Sequence, residues 1–160
     1  MIELTIETEI ARPPAAVFAF VTDPAKLSSW QVNTVSAEVE GGGPLRLGTR
    51  LREVHRGPRG RELASLVEVS AYEPPRLFAL RIIEGALPID ARIELEPRAG
   101  GGGAADATAP GAADAPATRM RFTAHGQPRG ALRLAQPLLR RVLRRQFAAD
   151  CARLKQRLEA

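Results

Sequence analysis

The chain has 160 residues, of which 44% are hydrophobic and 26% charged. This is enough for a single domain over residues 1–160 with its own core. No apolar run reaches the roughly 20 residues of a membrane-spanning helix, and the acidic N-terminal stretch lacks the pattern of a secretion signal. We therefore expect a cytoplasmic protein. The single cysteine excludes an intrachain disulfide and a cysteine-based zinc site. Aromatic residues make up only 4%, which argues against a nucleic-acid partner bound by base stacking.

The basic charge of the chain allows two explanations. The formal net charge is +5, and nearly all of the positive charge is arginine, because lysine occurs only at Lys26 and Lys155. An arginine-rich, lysine-poor composition is what a GC-rich coding sequence produces. An anionic or phosphate-bearing partner would account for the same charge, and the sequence leaves both explanations open.

The N-terminal part of the chain predicts one strand followed by two short helices. Apolar and polar side chains alternate over residues 1–10, as in a strand with one buried face. A helix is expected over 13–21, because two prolines stand where the first helical turn would lie. Asp23 and Pro24 provide a second start signal, as N-cap and first helical residue, for a short helix that ends near Trp30.

The middle of the chain predicts six further strands joined by turn-rich segments. Period-two alternation, bounded by Gly and Pro, marks residues 35–39, 47–56, 62–72, 76–84, 87–96 and 118–125. With the first strand, these make a seven-stranded antiparallel sheet with one buried face. The segment 99–117 contains almost only Gly, Ala, Asp, Thr and Pro. It cannot bury enough apolar surface to offset its ordering entropy, so we interpret it as a flexible hairpin loop, with a functional lid as the alternative.

The chain ends in a predicted long helix over residues 130–158. Apolar side chains recur there at steps of three and four, which is typical of one buried helix face: Leu132, Ala135, Leu139, Val142, Leu143, Phe147, Cys151, Leu154 and Leu158. Pro137 falls inside this range, so we expect a kink there or a break into two pieces.

The order of these elements resembles the START-like superfamily, also called the SRPBCC or polyketide cyclase/dehydratase group. The resemblance is carried by residues 10–18, Asp23–Pro24, Trp30, 47–50, 69–77 and 147–158. It implies an α+β helix-grip fold, in which the curved sheet wraps around the terminal helix and encloses an internal cavity. It does not specify function, because this fold carries lipid carriers, receptors, cyclases and chaperone cofactors.

The helix-grip arrangement and the strand alternation together predict which side chains line the cavity. We expect the following residues there: Trp30, Leu51, Glu53, His55, Ser65, Val67, Leu80, Ile89, Ala91, Met120, Phe122, Leu139 and Leu143. This wall is mostly apolar, which is the usual form of a small-molecule site.

The polar exceptions are the candidates for chemistry. Glu53 and His55 are two residues apart on one strand, so they share a face and could form an acid/base pair. Arg81 is a further catalytic candidate, although its neighbours Leu80 and Ile82 compete for the interior. The alternative for all of these residues is a solvated or purely structural role. Neither a metal nor a cofactor is expected, because the two histidines lack matched carboxylate spacing and no phosphate-binding glycine loop is present.

Three functions fit these observations. The first is binding of a small hydrophobic molecule, such as a lipid, polyketide or isoprenoid-like compound, by a carrier or sensor. The second is an aromatic polyketide cyclase or dehydratase that uses the polar cavity residues. The third is a regulatory or chaperone-type protein partner that uses the arginine-rich helix face, and a homodimer is an open possibility.

Overall fold

A computed structural model describes residues 1–99, 106 and 108–160. Seven strands form one antiparallel sheet in the order β1-β7-β6-β5-β4-β3-β2. Their bounds are β1 Ile2–Ile10, β2 Thr34–Val39, β3 Arg50–Arg56, β4 Glu62–Glu73, β5 Leu77–Glu84, β6 Ile89–Arg98 and β7 Ala117–Gly126. The α-helices are α1 Pro14–Val21, α2 Leu27–Trp30 and α3 Gln136–Glu159. The predicted α+β helix-grip architecture is confirmed.

The sheet curves around α3, which contacts β1 and α2. Register shifts between Thr34 and Ser36 of β2, and at two points along β4, mark β-bulges in this part of the sheet. Bulges bend a strand and increase its twist. The strands that carry them can therefore close over one face of the helix, where the core lies.

The two helices after β1 begin as the sequence indicates. Pro14 occupies the first turn of α1. The side chain of Asp23 accepts a hydrogen bond from the backbone N–H of Ala25 and so caps the short turn Pro24–Lys26 that leads into α2. Trp30, the last residue of α2, is buried, so the end of this helix is fixed in the core.

The terminal helix is shorter than predicted and is broken at the expected place. Gly130–Arg133 forms a separate 3-10 turn, and α3 begins at Gln136 with Pro137 in its first turn, where a missing N–H breaks no helical hydrogen bond. The prediction of a continuous buried face from Leu132 onwards is wrong, because Leu132 and Val142 are exposed. Burial begins at Leu143 and continues through Cys151, Leu154 and Leu158.

The Gly/Ala-rich segment connects the paired strands β6 and β7, whose end residues Arg98 and Ala117 face each other. Residues 100–105 and 107 of this segment lie outside the described residues. Its later part forms a 3-10 turn, Ala112–Asp114, that contacts α1. Flexibility of 99–117 and a role as a lid stay predictions.

Candidate functional site

A cavity of about 280 Å³ lies between the concave face of the sheet and α3. Alternate residues of β3 to β6 form one wall, because side chains two apart on a strand share a face. Steps of three and one along α3 bring five of its side chains to the opposite wall: Leu143, Gln146, Phe147, Asp150 and Cys151. The rings of Phe122 on β7 and Phe147 on α3 meet with their centroids 5.1 Å apart, which closes one side.

Most of the predicted cavity residues lie together in this wall: Trp30, Glu53, His55, Ser65, Val67, Leu80, Ile89, Ala91, Phe122 and Leu143. Leu51 and Met120 face inwards but do not line the cavity; they are fully buried in the core cluster that also contains Phe18 and Leu154. Side chains of α1 and of the later turns of α3 fill the space at that end. Leu139 lies in the first turn of α3, is half-buried, and also falls outside the wall.

Arg81, the third catalytic candidate, points away from the cavity and does not lie with Glu53 and His55. Its neighbours Leu80 and Ile82 both line the cavity, and alternation places the side chain between them on the other face. There its Nε donates to the carboxylate of Asp90 over 3.2 Å, and both side chains are exposed. Arg81 is thus part of a surface ion pair.

Glu53 and His55 form the polar centre of the cavity wall. Oε2 of Glu53 lies 3.1 Å from Nε2 of His55, and Glu53 is only 5% exposed. On its other side, Nδ1 of His55 lies 3.3 Å from Oγ1 of Thr34, whose hydroxyl donates to Oε1 of Gln31 over 2.7 Å. A hydroxyl that gives its proton to Gln31 can only accept from His55. His55 therefore lies between a carboxylate and a hydroxyl, with one ring nitrogen close to each.

Two buried polar atoms of the wall have no hydrogen-bond partner among the described residues. They are Oε1 of Glu53 and Nε1 of Trp30. Trp30 is 2% exposed, so neither atom is compensated by bulk water. Buried polar groups are almost always paired, which makes these two atoms the most unusual chemical feature of the cavity.

A second carboxylate lines the cavity from the helix side. Asp150 is buried, and its Oδ1 accepts from the backbone N–H of Val32 over 2.8 Å. Burial raises the pKa of Asp150, while the Val32 hydrogen bond and the charges of Arg153 and His55 oppose the rise. The carboxylate fastens α3 to the segment between α2 and β2, at the edge of the cavity.

Cys151 lines the cavity as a small apolar group. Burial, with a contribution from the charge of Asp150, raises the pKa of its thiol to about 12. The thiolate is the nucleophilic form of cysteine, so this residue is unsuited to nucleophilic catalysis. Within the described residues, no group of three or more His, Cys, Asp and Glu side chains is placed to hold a metal ion.

Sequence reasoning missed Asp150, Thr34 and Gln31 as cavity residues. Asp150 carried a usable signal, since it interrupts the apolar face of the terminal helix between Phe147 and Leu154. A carboxylate on a buried helix face requires a partner or a function. Gln31 lies on the connection from α2 to β2, and Thr34 is the first residue of β2, next to a register shift. No periodicity indicates which side chains turn inwards there.

The fold and the cavity define a helix-grip protein with a mostly apolar cavity between its sheet and α3. A family model described as polyketide cyclase / dehydrase and lipid transport matches residues 1–159, and the chain belongs to this family. None of the α-helices within the described ranges is long and apolar enough to cross a membrane.

Similar solved structures share the fold at low sequence identity. A protein from Thermus thermophilus has a TM-score of 0.73 at 18% identity, with 98% of this chain and 96% of that chain covered. A START superfamily protein from Mycobacterium smegmatis also has a TM-score of 0.73, at 12% identity, with 99% and 98% covered. A conserved protein from Geobacillus kaustophilus has a TM-score of 0.73 at 15% identity, with 98% and 94% covered. Comparison with curated protein sequences found no match.

Proposed function

We propose that the protein binds a small, mainly apolar molecule between the sheet and α3, as a carrier or sensor. The observation that carries the proposal is the cavity of about 280 Å³ with a predominantly apolar wall. Such a wall, with a few polar groups, is the common form of a small-molecule site. Membership of a family that includes lipid transport supports the same function. The homodimer and the cytoplasmic location stay predictions.

Binding of a neutral apolar dye tests this proposal. N-phenylnaphthylamine should bind with a rise in fluorescence, and Ala91→Phe should weaken binding because Ala91 lines the cavity. Ala148→Phe is the matched control, since Ala148 lies on the exposed face of α3. Native mass spectrometry of protein from its own host should show a bound apolar compound. Equal dye binding by both variants and the unchanged protein would contradict the proposal.

The Glu53–His55 pair supports a second candidate function, dehydration or cyclisation of a polyketide-like ligand. In a dehydration, one side chain of the pair would take a proton from carbon while the other gives a proton to the departing hydroxyl, which leaves as water. The 3.1 Å contact between the two side chains favours a shared acid/base role. A β-hydroxy ketone with an aromatic end tests it, because loss of water yields an enone with a new ultraviolet absorption. Enone formation that is equal with and without the protein would remove this candidate.

A further inference from the structure

The polar end of the cavity indicates what kind of ligand it takes. Oε1 of Glu53 is an acceptor without a donor among the described residues, and Nε1 of Trp30 is a donor without an acceptor. The two side chains lie in the wall of the same cavity. A ligand that both donates and accepts at this end would satisfy the two atoms.

The charges at this end of the cavity further restrict the chemical class of the ligand. Two buried carboxylates, Glu53 and Asp150, line the cavity beside the imidazole of His55. Arg56 also lines the cavity, but this residue is exposed to solvent, where its charge is screened. A ligand carboxylate would bring a third negative charge into this poorly solvated site. A hydroxyl carries no charge, donates one hydrogen bond and accepts others.

We propose that the ligand is an apolar alcohol or phenol, whose O–H group donates to Oε1 of Glu53 and whose oxygen accepts from Nε1 of Trp30. This inference rests on the proposed binding function and adds the chemistry of the ligand's polar end.

Tryptophan fluorescence gives a direct measurement, because the only tryptophan of the chain lines the cavity. Three probes share one alkyl chain: octanol, octyl methyl ether and octanoate. Octanol should bind about tenfold more tightly than the ether, which cannot donate, and octanoate should bind more weakly than octanol. Equal affinities for octanol and ether, or tightest binding of octanoate, would overturn the inference while leaving the binding function in place. If none of the probes binds, the binding function fails with it.

Two variants locate the hydrogen bonds. Glu53→Leu should abolish the preference for octanol over the ether while the ether still binds. Glu38→Leu is the matched control, because Glu38 is exposed on the neighbouring strand β2, and it should keep the preference. Trp30→Phe, measured by calorimetry, should reduce the octanol affinity and supplies an independent result if Glu53→Leu does not fold. A preference for octanol that persists in both cavity variants contradicts the inference.

A separate observation concerns the surface beside the cavity, where residues 127–149 contain no acidic residue. Six exposed arginines lie in this segment: Arg129, Arg133, Arg140, Arg141, Arg144 and Arg145. None of them pairs with a carboxylate in the part of the chain that the structure describes. Three large apolar residues lie between these arginines and are 90%, 67% and 52% exposed: Leu134, Leu138 and Val142. We call residues 127–145 the basic apolar segment.

The composition of the basic apolar segment favours one occupant. A second copy of the chain would bring the same arginines face to face, because a two-fold interface pairs the same surface on both subunits. An anionic lipid surface attracts arginine and accepts leucine side chains at the headgroup boundary. The next turn of α3 carries Leu143, Gln146 and Phe147 into the cavity wall, so this segment adjoins the proposed ligand site.

We infer that the basic apolar segment docks on anionic phospholipid membranes. Vesicle flotation should show binding to phosphatidylcholine with phosphatidylglycerol, weaker binding in high salt, and little binding to phosphatidylcholine alone. The double change Leu134→Ser and Leu138→Ser should abolish flotation at low salt, and Arg141→Gln with Arg145→Gln should weaken it.

The matched control is Arg46→Gln with Arg59→Gln, which removes the same charge from exposed arginines elsewhere and should leave flotation close to that of the unchanged protein. No flotation with phosphatidylglycerol, or equal loss in the two arginine pairs, overturns the inference. If sedimentation velocity instead shows a dimer that the Leu134→Ser and Leu138→Ser changes dissociate, the basic apolar segment is an interface with a second copy of the chain, which contradicts the inference. Association with a protein partner in place of vesicles would also contradict it.

Discussion

Nε2 of His55 lies 3.1 Å from Oε2 of Glu53, so that an imidazole of the cavity wall is held directly against a buried carboxylate. Both side chains come from alternate positions of β3, and the strand itself therefore fixes their separation. The other oxygen of Glu53 has no partner in the described part of the chain. The pair is consequently incomplete without a further hydrogen-bond donor, and an unpaired buried acceptor lowers the stability of the folded protein.

Replacement of Glu53 by leucine should raise the stability of the ligand-free protein by about 1 kcal/mol, because it removes a buried acceptor without a donor. The side chain of His55 is 29% exposed, so water can solvate the imidazole after its partner is lost. Urea unfolding followed by circular dichroism measures the change. A loss of stability would show that the contact with His55 outweighs the unpaired oxygen.

Asp150→Asn should stabilise the protein at neutral pH. Burial raises the pKa of Asp150 in the folded state, so the folded protein binds this proton more tightly than the unfolded chain. Stability is then lost as the pH rises from the unfolded pKa through the folded one. Asparagine keeps an oxygen that can accept from Val32 and carries no charge. The gain in melting temperature should shrink as the pH is lowered towards the unfolded pKa, and a pH-independent difference would contradict this cause.

The strands and their inward faces were predictable because their pattern repeats. Ile89 and Ala91 alternate with Asp90 and Arg92 in the sequence, and both line the cavity. Arg81 was ambiguous because apolar residues flank it on both sides, and only the pairing of β4 with β5, which contains register shifts, fixes its outward direction.

The boundary between cavity and packed core was not predictable from periodicity. Leu51 and Met120 have the same alternation as the cavity residues, yet they are fully buried beside Phe18 and Leu154. Which part of a concave sheet stays open depends on how far other helices reach over it, a relationship between residues distant in sequence. The exposure of the first residues of α3 was not predictable for the same reason. An apolar helix face in the sequence does not show where the sheet that covers it ends.

Cys151 should be nearly unreactive in the folded protein. Its thiol is buried and its pKa is raised to about 12, so the thiolate fraction at neutral pH is very small. Ellman's reagent should react on the order of a thousandfold more slowly than with the unfolded chain in urea. An apolar ligand should slow the reaction further, because Cys151 lines the cavity. Reaction of the folded protein at the unfolded rate would show that the helix opens there.

Thr118 should contribute to stability through a hydrogen bond that joins distant parts of the chain. Its Oγ1 donates to the carbonyl of Arg12 over 2.7 Å, and Nη1 of Arg12 donates to the carbonyl of Leu158 over 3.1 Å. The carbonyls at a helix C-terminus have no partner within the helix, so this chain of bonds fastens the end of α3 to β7 and to the start of α1.

Thr118→Val keeps the shape of the side chain but leaves the carbonyl of Arg12 without its donor, so unfolding free energy should fall by about 1–2 kcal/mol. Thr123→Val is the matched control. It lies on the same strand, but on the opposite face and only half-buried, and it should change stability by less than about 0.5 kcal/mol. Urea titrations of the two variants give the comparison. An equal loss of unfolding free energy in the two variants would mean that the hydrogen bond from Thr118 to Arg12 does not stabilise the packing of α3 against the sheet.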